Sequence, residues 1–277
     1  MPRNKTRGTS VLSWRKSALA TGWSAAYVDS VQNTDLEKFS WRLDRGIAGI
    51  LLSLHGCLPT PGLQETKEQV LSLLRSRVLE WLDKKVVYRN DDRGLFGGTA
   101  GVAFALATVG DPSDIVLAQK LLWLEAETYQ EVSGGLYFTD ETNRYRPYFD
   151  RGNAGLLVAA LKVLPPDDIN RGPWPYIARG LSTGLAVEPG LSQGTAGMLA
   201  AARVLYSSDN RGLIPESILS GLESDLLSCF IHTHDGLVIP GQMSRRVSLD
   251  GIHGLGGSVP VACASKIGDL FNVLKID

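Results

Sequence analysis

Two glycines three positions apart recur five times along the chain, each time at the start of an apolar stretch. The five segments read RGIAGILLSL, GGTAGVAFALA, RGNAGLLVAAL, QGTAGMLAAARVL and HGLGGSVPVACA. Their first glycines are Gly46, Gly98, Gly152, Gly194 and Gly254. Each interval has room for two helices of about a dozen residues and their loops, so the repeat predicts a series of helical hairpins.

The two helices of each hairpin differ in their apolar pattern. The stretch after each glycine pair is apolar almost all round, as in Ile50–Leu54 and Leu156–Leu161, which predicts inner helices buried on every side. Residues 67–86 instead place their apolar side chains on one stripe, which predicts an outer amphipathic helix. Residues 114–129 and 215–231 repeat that pattern.

Glycine at the start of an inner helix lets helix ends approach each other or a ligand closely. The first N–H groups of a helix have no intrahelical partner and face the space ahead of it. If the hairpins form a ring, these ends converge on a central cavity. We therefore predict an all-α fold, an α/α toroid over residues 41–277 that is either closed or shortened and open. Residues 1–40 form an N-terminal segment of unclear role.

Composition limits the partners and the compartment. The 277 residues contain 28 Lys and Arg against 29 Asp and Glu, so no broad positive surface is expected for nucleic acid or membranes. Arg15 and Lys16 interrupt the basic N-terminus before a signal-peptide core can form. The three cysteines lie far apart, which argues against a disulfide framework. We expect a cytoplasmic protein.

The ordered set of repeats resembles the lanthionine synthetase C-like (LanC-like) cyclases, whose fold is an α/α toroid. RPYFDRGNAG from Arg146 and DGLVIPGQMSRRVSLDGIHGLGG from Asp235 are most similar to the C-terminal cyclase domain of class III lanthipeptide synthetases. The resemblance extends from about Trp41 to the end of the sequence. The family builds its ring from seven repeats, whereas five are visible here, which predicts a smaller or open ring or a shortened relative.

Membership of that family implies addition of peptide cysteine thiols to dehydrated Ser or Thr, which closes thioether rings in lanthipeptide biosynthesis. Classical members hold zinc with two cysteines and a histidine, but this sequence lacks their Cys-Gly and Cys-His-Gly motifs. Class III cyclases lack them too, so we expect no metal and no cofactor. The implied partner is a dehydrated precursor peptide. Because no protein-kinase motif set is present, a separate kinase or lyase subunit would dehydrate it.

Polar residues beside the glycine pairs are the candidate catalytic groups. His253 could transfer the thiol or enolate proton, although a histidine in this place can also bond a loop carbonyl. Asp250 precedes it in the same loop. Arg45 and Arg151 could stabilise an enolate or a peptide carboxylate. Their neighbours Asp44 and Asp150 are expected to cap helices.

The glycines themselves and one tyrosine are the candidate peptide-binding residues. Tight packing is the structural alternative for each glycine, and packing is also the alternative for the aromatic cluster around Tyr148. The candidates are Gly98, Gly101, Gly152, Gly155, Gly194, Gly197, Gly254, Gly257 and Tyr148.

Two other functions stay open at this point. A LanC-like protein without activity could bind the peptide and present it to a separate kinase or lyase. A glycosidase on the same architecture would need paired acids, which Asp44, Asp150 and Asp250 could supply. His232 and His234 have a metal-binding spacing, but we expect them in an exposed turn without a third ligand.

Overall fold

The computed structural model is mostly helical, with two short β-hairpins. It describes residues 11–85, 93–140, 142, 144–182, 188–207, 211–234, 236–241, 258, 259, 261 and 262. The helices are α1 Val11–Gln32, α2 Ile47–His55, α3 Leu63–Lys84, α4 Gly94–Gly97, α5 Thr99–Val109, α6 Pro112–Ala126, α7 Asn153–Val163, α8 Pro166–Ile169, α9 Trp174–Arg179, α10 Thr195–Ser207 and α11 Glu216–Ser228. The strands pair as β1 Gln130–Val132 with β2 Gly135–Tyr137, and β3 Ile231–Thr233 with β4 Gly236–Val238. Within these ranges no helix has the length and apolar character that a membrane span needs.

The inner helices begin where the glycine pairs predict. Helices α2, α5, α7 and α10 each start at the residue after the first glycine of a pair. They pack in chain order, α2 on α5, α5 on α7 and α7 on α10. The prediction is confirmed for four repeats, whereas the fifth pair, Gly254 and Gly257, lies outside the described residues.

The outer helices also follow the sequence pattern. Helix α3 packs on α2, α6 on α5 and α11 on α10, while α3 and α6 contact each other. Helix α3 buries Leu71, Leu74 and Val78, three members of its predicted stripe. The described chain is therefore a row of helical hairpins with an apolar core between its inner and outer helices.

Helix α1 extends this row at its N-terminal end. It contacts α2 and α3, and Val28 and Val31 on one of its faces are buried. Part of the 1–40 segment thus packs directly on the repeats.

The burial of the inner helices depends on their place in the row. Leu156, Leu157 and Val158 of α7 are buried as predicted, because α7 has a helical neighbour on both sides, whereas Leu161 near the end of the helix is only half-buried. On α2, Ile50 and Leu52 are only half-buried, so the prediction of burial on every side is wrong there. The physical reason is that α2 is the first inner helix of the row.

Residues just after the fifth glycine pair contact the fourth repeat. Residues 258–259 and 261–262 are helical, and Ser258 and Val261 are buried. The Ser258 hydroxyl donates to the carbonyl oxygen of Pro189 at 3.1 Å, and the Arg203 guanidinium donates to the carbonyl oxygen of Val261. The chain therefore returns to the end of the row formed by α10.

One buried ion pair joins the outer helices α3 and α6. Asp114 is fully buried, and its carboxylate oxygens lie 2.5 Å from Nε and 2.6 Å from Nη2 of Arg75. Asp114 also completes the capping box of α6 with Asp111. The carboxylates of Asp114, Asp111 and Glu68 raise the pKa of Arg75, and its hydrogen bonds to Asp114 are the main cause.

Candidate functional site: the loops before the inner helices

The loops that precede the inner helices are joined by backbone hydrogen bonds. Two positions before the first glycine of each pair lie Asp44, Phe96, Asp150 and Ser192. The N–H of Asp44 donates to the carbonyl of Phe96 at 3.3 Å, that of Phe96 to Asp150 at 3.0 Å, and that of Asp150 to Ser192 at 3.0 Å. We call this set of four linked loops the loop belt. It places four helix starts beside one another on one side of the row.

In the four pairs that the structure describes, the second glycine allows these loops to pack closely. A Cβ at that glycine would overlap the carbonyl oxygen of the residue six positions earlier in the chain. In the second, third and fourth repeats, this Cβ would also meet a side chain of the preceding repeat. The glycine–carbonyl pairs are Gly49 with Leu43, Gly101 with Leu95, Gly155 with Phe149 and Gly197 with Leu191.

Two glycines also need backbone angles that other residues rarely adopt. Gly94 has φ +84° and Gly152 has φ +135°. A Cβ on Gly94 would lie 2.7 Å from the Cα of Arg151 and 2.9 Å from the carbonyl oxygen of Asp150. Close contact with the third loop accounts for Gly94, whereas a Cβ on Gly152 would overlap the carbonyl oxygen of Arg146 in its own loop. Peptide binding by the glycines stays a prediction.

Asp150 is the most buried acidic side chain of the loop belt. Only 7% of its surface is exposed, and its Oδ2 accepts a hydrogen bond from Gln193 at 2.7 Å. Its Oδ1 is buried and has no hydrogen-bond partner among the residues that the structure describes. Burial raises the pKa of this carboxyl group, while Gln193, Ser192 and Arg151 partly offset the shift.

Neither predicted capping aspartate caps its helix. The N-cap residues of α2 and α7 are Gly46 and Gly152, and neither receives a side-chain cap. Asp44 instead accepts from Arg42 at 2.9 Å and from Arg45 at 3.1 Å. The capping prediction is wrong because each aspartate lies two residues before the first glycine, in the loop and not at the N-cap.

The two predicted arginines differ in their surroundings. Arg45 has a side chain that is 77% exposed and forms its ion pair with Asp44 at the surface. Arg151 is half-buried, and its charge acts on the buried carboxylate of Asp150. Arg151 is thus the arginine better placed to act on a group held against the loops.

Tyr148 supports the loop belt from the third repeat. The side chain is half-buried against the apolar core, and the backbone oxygen accepts from the N–H of Gly155 at 3.3 Å. Packing explains this tyrosine, while a role in peptide binding stays a prediction.

Glu125 of α6 is a residue that the sequence reasoning did not single out. Its Oε1 accepts from the Gly94 N–H at 2.7 Å, and its Oε2 accepts from the Ala100 N–H at 2.6 Å and from the Thr99 hydroxyl. Burial raises the pKa of the carboxyl group, and these three donors partly offset the shift. An acidic residue in the apolar stripe with Ala118, Leu121 and Leu122 is the signal that could have revealed it.

Four of the predicted site residues belong to the fifth repeat. Asp250, His253, Gly254 and Gly257 lie outside the described residues.

Beside the second loop there is a small cavity, about 10 Å³ in volume, which Trp41, Trp81 and Gly98 help to line. It has room for about one water molecule.

The residues that could hold a metal do not come together in the described ranges. No three His, Cys, Asp or Glu side chains there are arranged as a metal site. Cys57 and Cys229 are half-buried free thiols, and Cys263 lies outside the described residues. His232 is exposed on strand β3, so its predicted place in a turn is wrong, whereas His234 lies in the turn.

Comparison with known protein families finds none that matches the chain, and a search among curated proteins finds no significant match. The interpretation of the site therefore depends on its own geometry and on the repeat pattern. Chemically, the loop belt offers a carboxyl group with a raised pKa and a neighbouring guanidinium. Such a set can stabilise negative charge and exchange a proton. The first N–H groups of α7 do not face open space as predicted, because they donate to the carbonyl oxygens of Arg146, Pro147 and Tyr148 in their own loop.

Proposed function

We propose that the protein is a zinc-independent thioether-forming cyclase of LanC-like type, acting on a dehydrated peptide. In this proposal the row of hairpins bends into an α/α toroid, closed or open, and the loop belt faces its central space. The partner is a precursor peptide dehydrated by a separate kinase or lyase, in the reducing cytoplasm. The observation that carries the proposal is the loop belt, because it gathers four helix starts and their polar residues on one side.

The reaction needs two proton transfers and no net change in composition. A cysteine thiol loses its proton, and the thiolate sulfur bonds to the β-carbon of dehydroalanine or dehydrobutyrine. The electron pair of the carbon–carbon double bond moves towards the carbonyl and forms an enolate, which then takes up a proton at the α-carbon. The product is an isomer of the substrate.

The residues of the loops suit the charges that develop in this sequence. The guanidinium of Arg151 stabilises the enolate oxygen. His253 and Asp250, from the sequence pattern of the fifth repeat, supply the proton acceptor and donor. Arg45 is exposed at the first loop and contacts the peptide at the rim of the site.

Thiol alkylation tests the proposal directly. A peptide with one cysteine and one dehydroalanine a few residues away is incubated with and without the protein and then treated with iodoacetamide. Ring formation leaves the peptide mass unchanged but protects its cysteine, so the protein should raise the unalkylated fraction well above the no-protein control. Binding of the peptide without faster protection would favour the non-catalytic peptide-binding alternative.

His253→Asn examines the assigned proton-transfer group. The rate of protection should fall by about 100-fold or more if His253 carries the proton. His232→Asn is the matched control, because His232 is an exposed histidine on strand β3. Equal rates for the two variants would remove His253 from the mechanism while leaving the cyclase proposal in place.

A further inference from the structure

A buried carboxylate outside the proposed reacting groups holds the second loop of the belt. Glu125 belongs to α6, an outer helix, yet all three hydrogen bonds of its carboxylate reach the segment from Gly94 to Ala100. The N-cap residue of α5 is Gly98, which has no side chain to cap the helix. Glu125 therefore supplies from a neighbouring helix the acceptor that an N-cap side chain normally provides.

The chemistry of the three contacts favours an ionised carboxylate. Two partners are backbone N–H groups, which can only donate, and the third is the Thr99 hydroxyl. A carboxylate offers only acceptors, so it satisfies all three at once. Arg93 lies close enough for its positive charge to favour the ionised form. A neutral amide in the same place would set at least one N–H against a backbone N–H.

The segment that Glu125 holds is the central link of the loop belt. Phe96 lies between Gly94 and Thr99, and its carbonyl accepts from the N–H groups of Leu43 and Asp44. Its own N–H donates to Asp150. Any shift of the second loop is therefore transmitted to the acidic loops of the first and third repeats.

We propose that Glu125 is a positioning residue, whose carboxylate fixes the second loop and thereby the relative placement of Asp44, Asp150 and Arg151. Its effect on catalysis rests on the proposed cyclase function. Its effect on the loops does not, because the hydrogen bonds that carry it are independent of any substrate.

Glu125→Gln tests this proposal, and Glu127→Gln is the matched control. Glu127 follows the same helix end two residues later but is exposed. We expect amide hydrogen exchange to become about tenfold faster or more in residues 41–46 and 148–152 of Glu125→Gln, although the Glu125 carboxylate bonds only Gly94, Thr99 and Ala100. Glu127→Gln should exchange like the wild type. Unchanged exchange in both segments of a folded Glu125→Gln protein would overturn the proposal.

Thr99→Val provides a milder variant that keeps the carboxylate. It removes one of the three donors, so exchange in the same two segments should rise less than in Glu125→Gln, and Thr99→Ser should restore the wild-type rates. If Glu125→Gln does not fold, this pair decides the question. Equal exchange in Thr99→Val and Thr99→Ser would then contradict the proposal.

Kinetics separate positioning from a loss of stability alone. In a folded Glu125→Gln protein, kcat for ring formation should fall about tenfold while KM changes little, because reacting groups are displaced and the peptide still binds. If only the temperature of unfolding falls, while kcat and loop exchange stay unchanged, Glu125 stabilises the fold without positioning the loops, and the proposal is wrong. If the wild type forms no thioether, the cyclase proposal fails, while hydrogen exchange still decides the role of Glu125.

Discussion

The backbone N–H of Phe96 donates to the carbonyl oxygen of Asp150 at 3.0 Å, which joins the loops of two successive repeats. The equivalent positions of the first and fourth repeats continue the same series. Repeats that are far apart in the sequence are therefore coupled through their loops as well as through their helices. In the first four repeats this coupling makes the surroundings of the second glycine intolerant of added volume.

Gly155→Ala should destabilise the protein by about 2 kcal/mol or more, because the new methyl group meets backbone that cannot easily yield. Its Cβ would lie 2.7 Å from the backbone nitrogen of Leu95 and would overlap the carbonyl of Phe149. Gly221→Ala in α11 is the control, since nothing lies within 4 Å of its Cβ position. It should stabilise by about 0.5–1 kcal/mol. Urea unfolding measures both, and equal effects would contradict the packing role of Gly155.

Asp114→Ala should lower the free energy of unfolding by about 2–3 kcal/mol, because it leaves Arg75 without its buried partner and removes one half of the capping box of α6. Arg75 keeps its contacts with Glu68 and Asp111, which limits the loss. The comparison is Glu80→Ala in α3, the helix that carries Arg75. This change removes a surface partner of Arg77 and Lys84 and should have a much smaller effect. A similar loss in both variants would show that burial does not strengthen the Arg75–Asp114 pair.

Asp150→Asn should become more stable relative to the wild type as the pH rises. Burial raises the pKa of Asp150 in the folded protein above its ordinary value of 3.8, so the folded state binds this proton more tightly than the unfolded state. Wild-type stability therefore declines, relative to the variant, between pH 3.8 and the raised pKa, and the difference is constant above it. Urea unfolding of both proteins across this range gives the difference. A variant that loses stability relative to the wild type over that window would show a lowered pKa instead.

Arg151→Gln should slow ring formation more than Arg45→Gln does. Arg151 is half-buried beside Asp150, whereas the Arg45 side chain is 77% exposed. Low exposure to water strengthens the action of a charge on a nearby enolate, so we expect a loss of about 100-fold for Arg151 and less than about threefold for Arg45. Rates of thiol protection measure both. The reverse order would move the reacting groups to the first repeat.

The sequence predicts much of the fold because the glycine pairs and apolar stripes are local signals. The starts of α2, α5, α7 and α10 follow directly from Gly46, Gly98, Gly152 and Gly194. The contacts of the site are less predictable, because they join residues far apart in the chain. Nothing local shows that Glu125 will cap α5, or that Asp150 will bond Gln193 and leave Gly152 as the N-cap of α7.

Analysis of the peptide product for lanthionine tests the central claim most directly. Thiol addition without an enzyme can deliver the α-carbon proton to either face, whereas groups fixed around a bound enolate deliver it to one. After incubation with the wild-type protein, hydrolysis and chiral chromatography should show lanthionine in excess of the no-protein control and mostly as one stereoisomer. Lanthionine in the same amount and with the same mixture of stereoisomers as the control would contradict the claim that this protein is a cyclase.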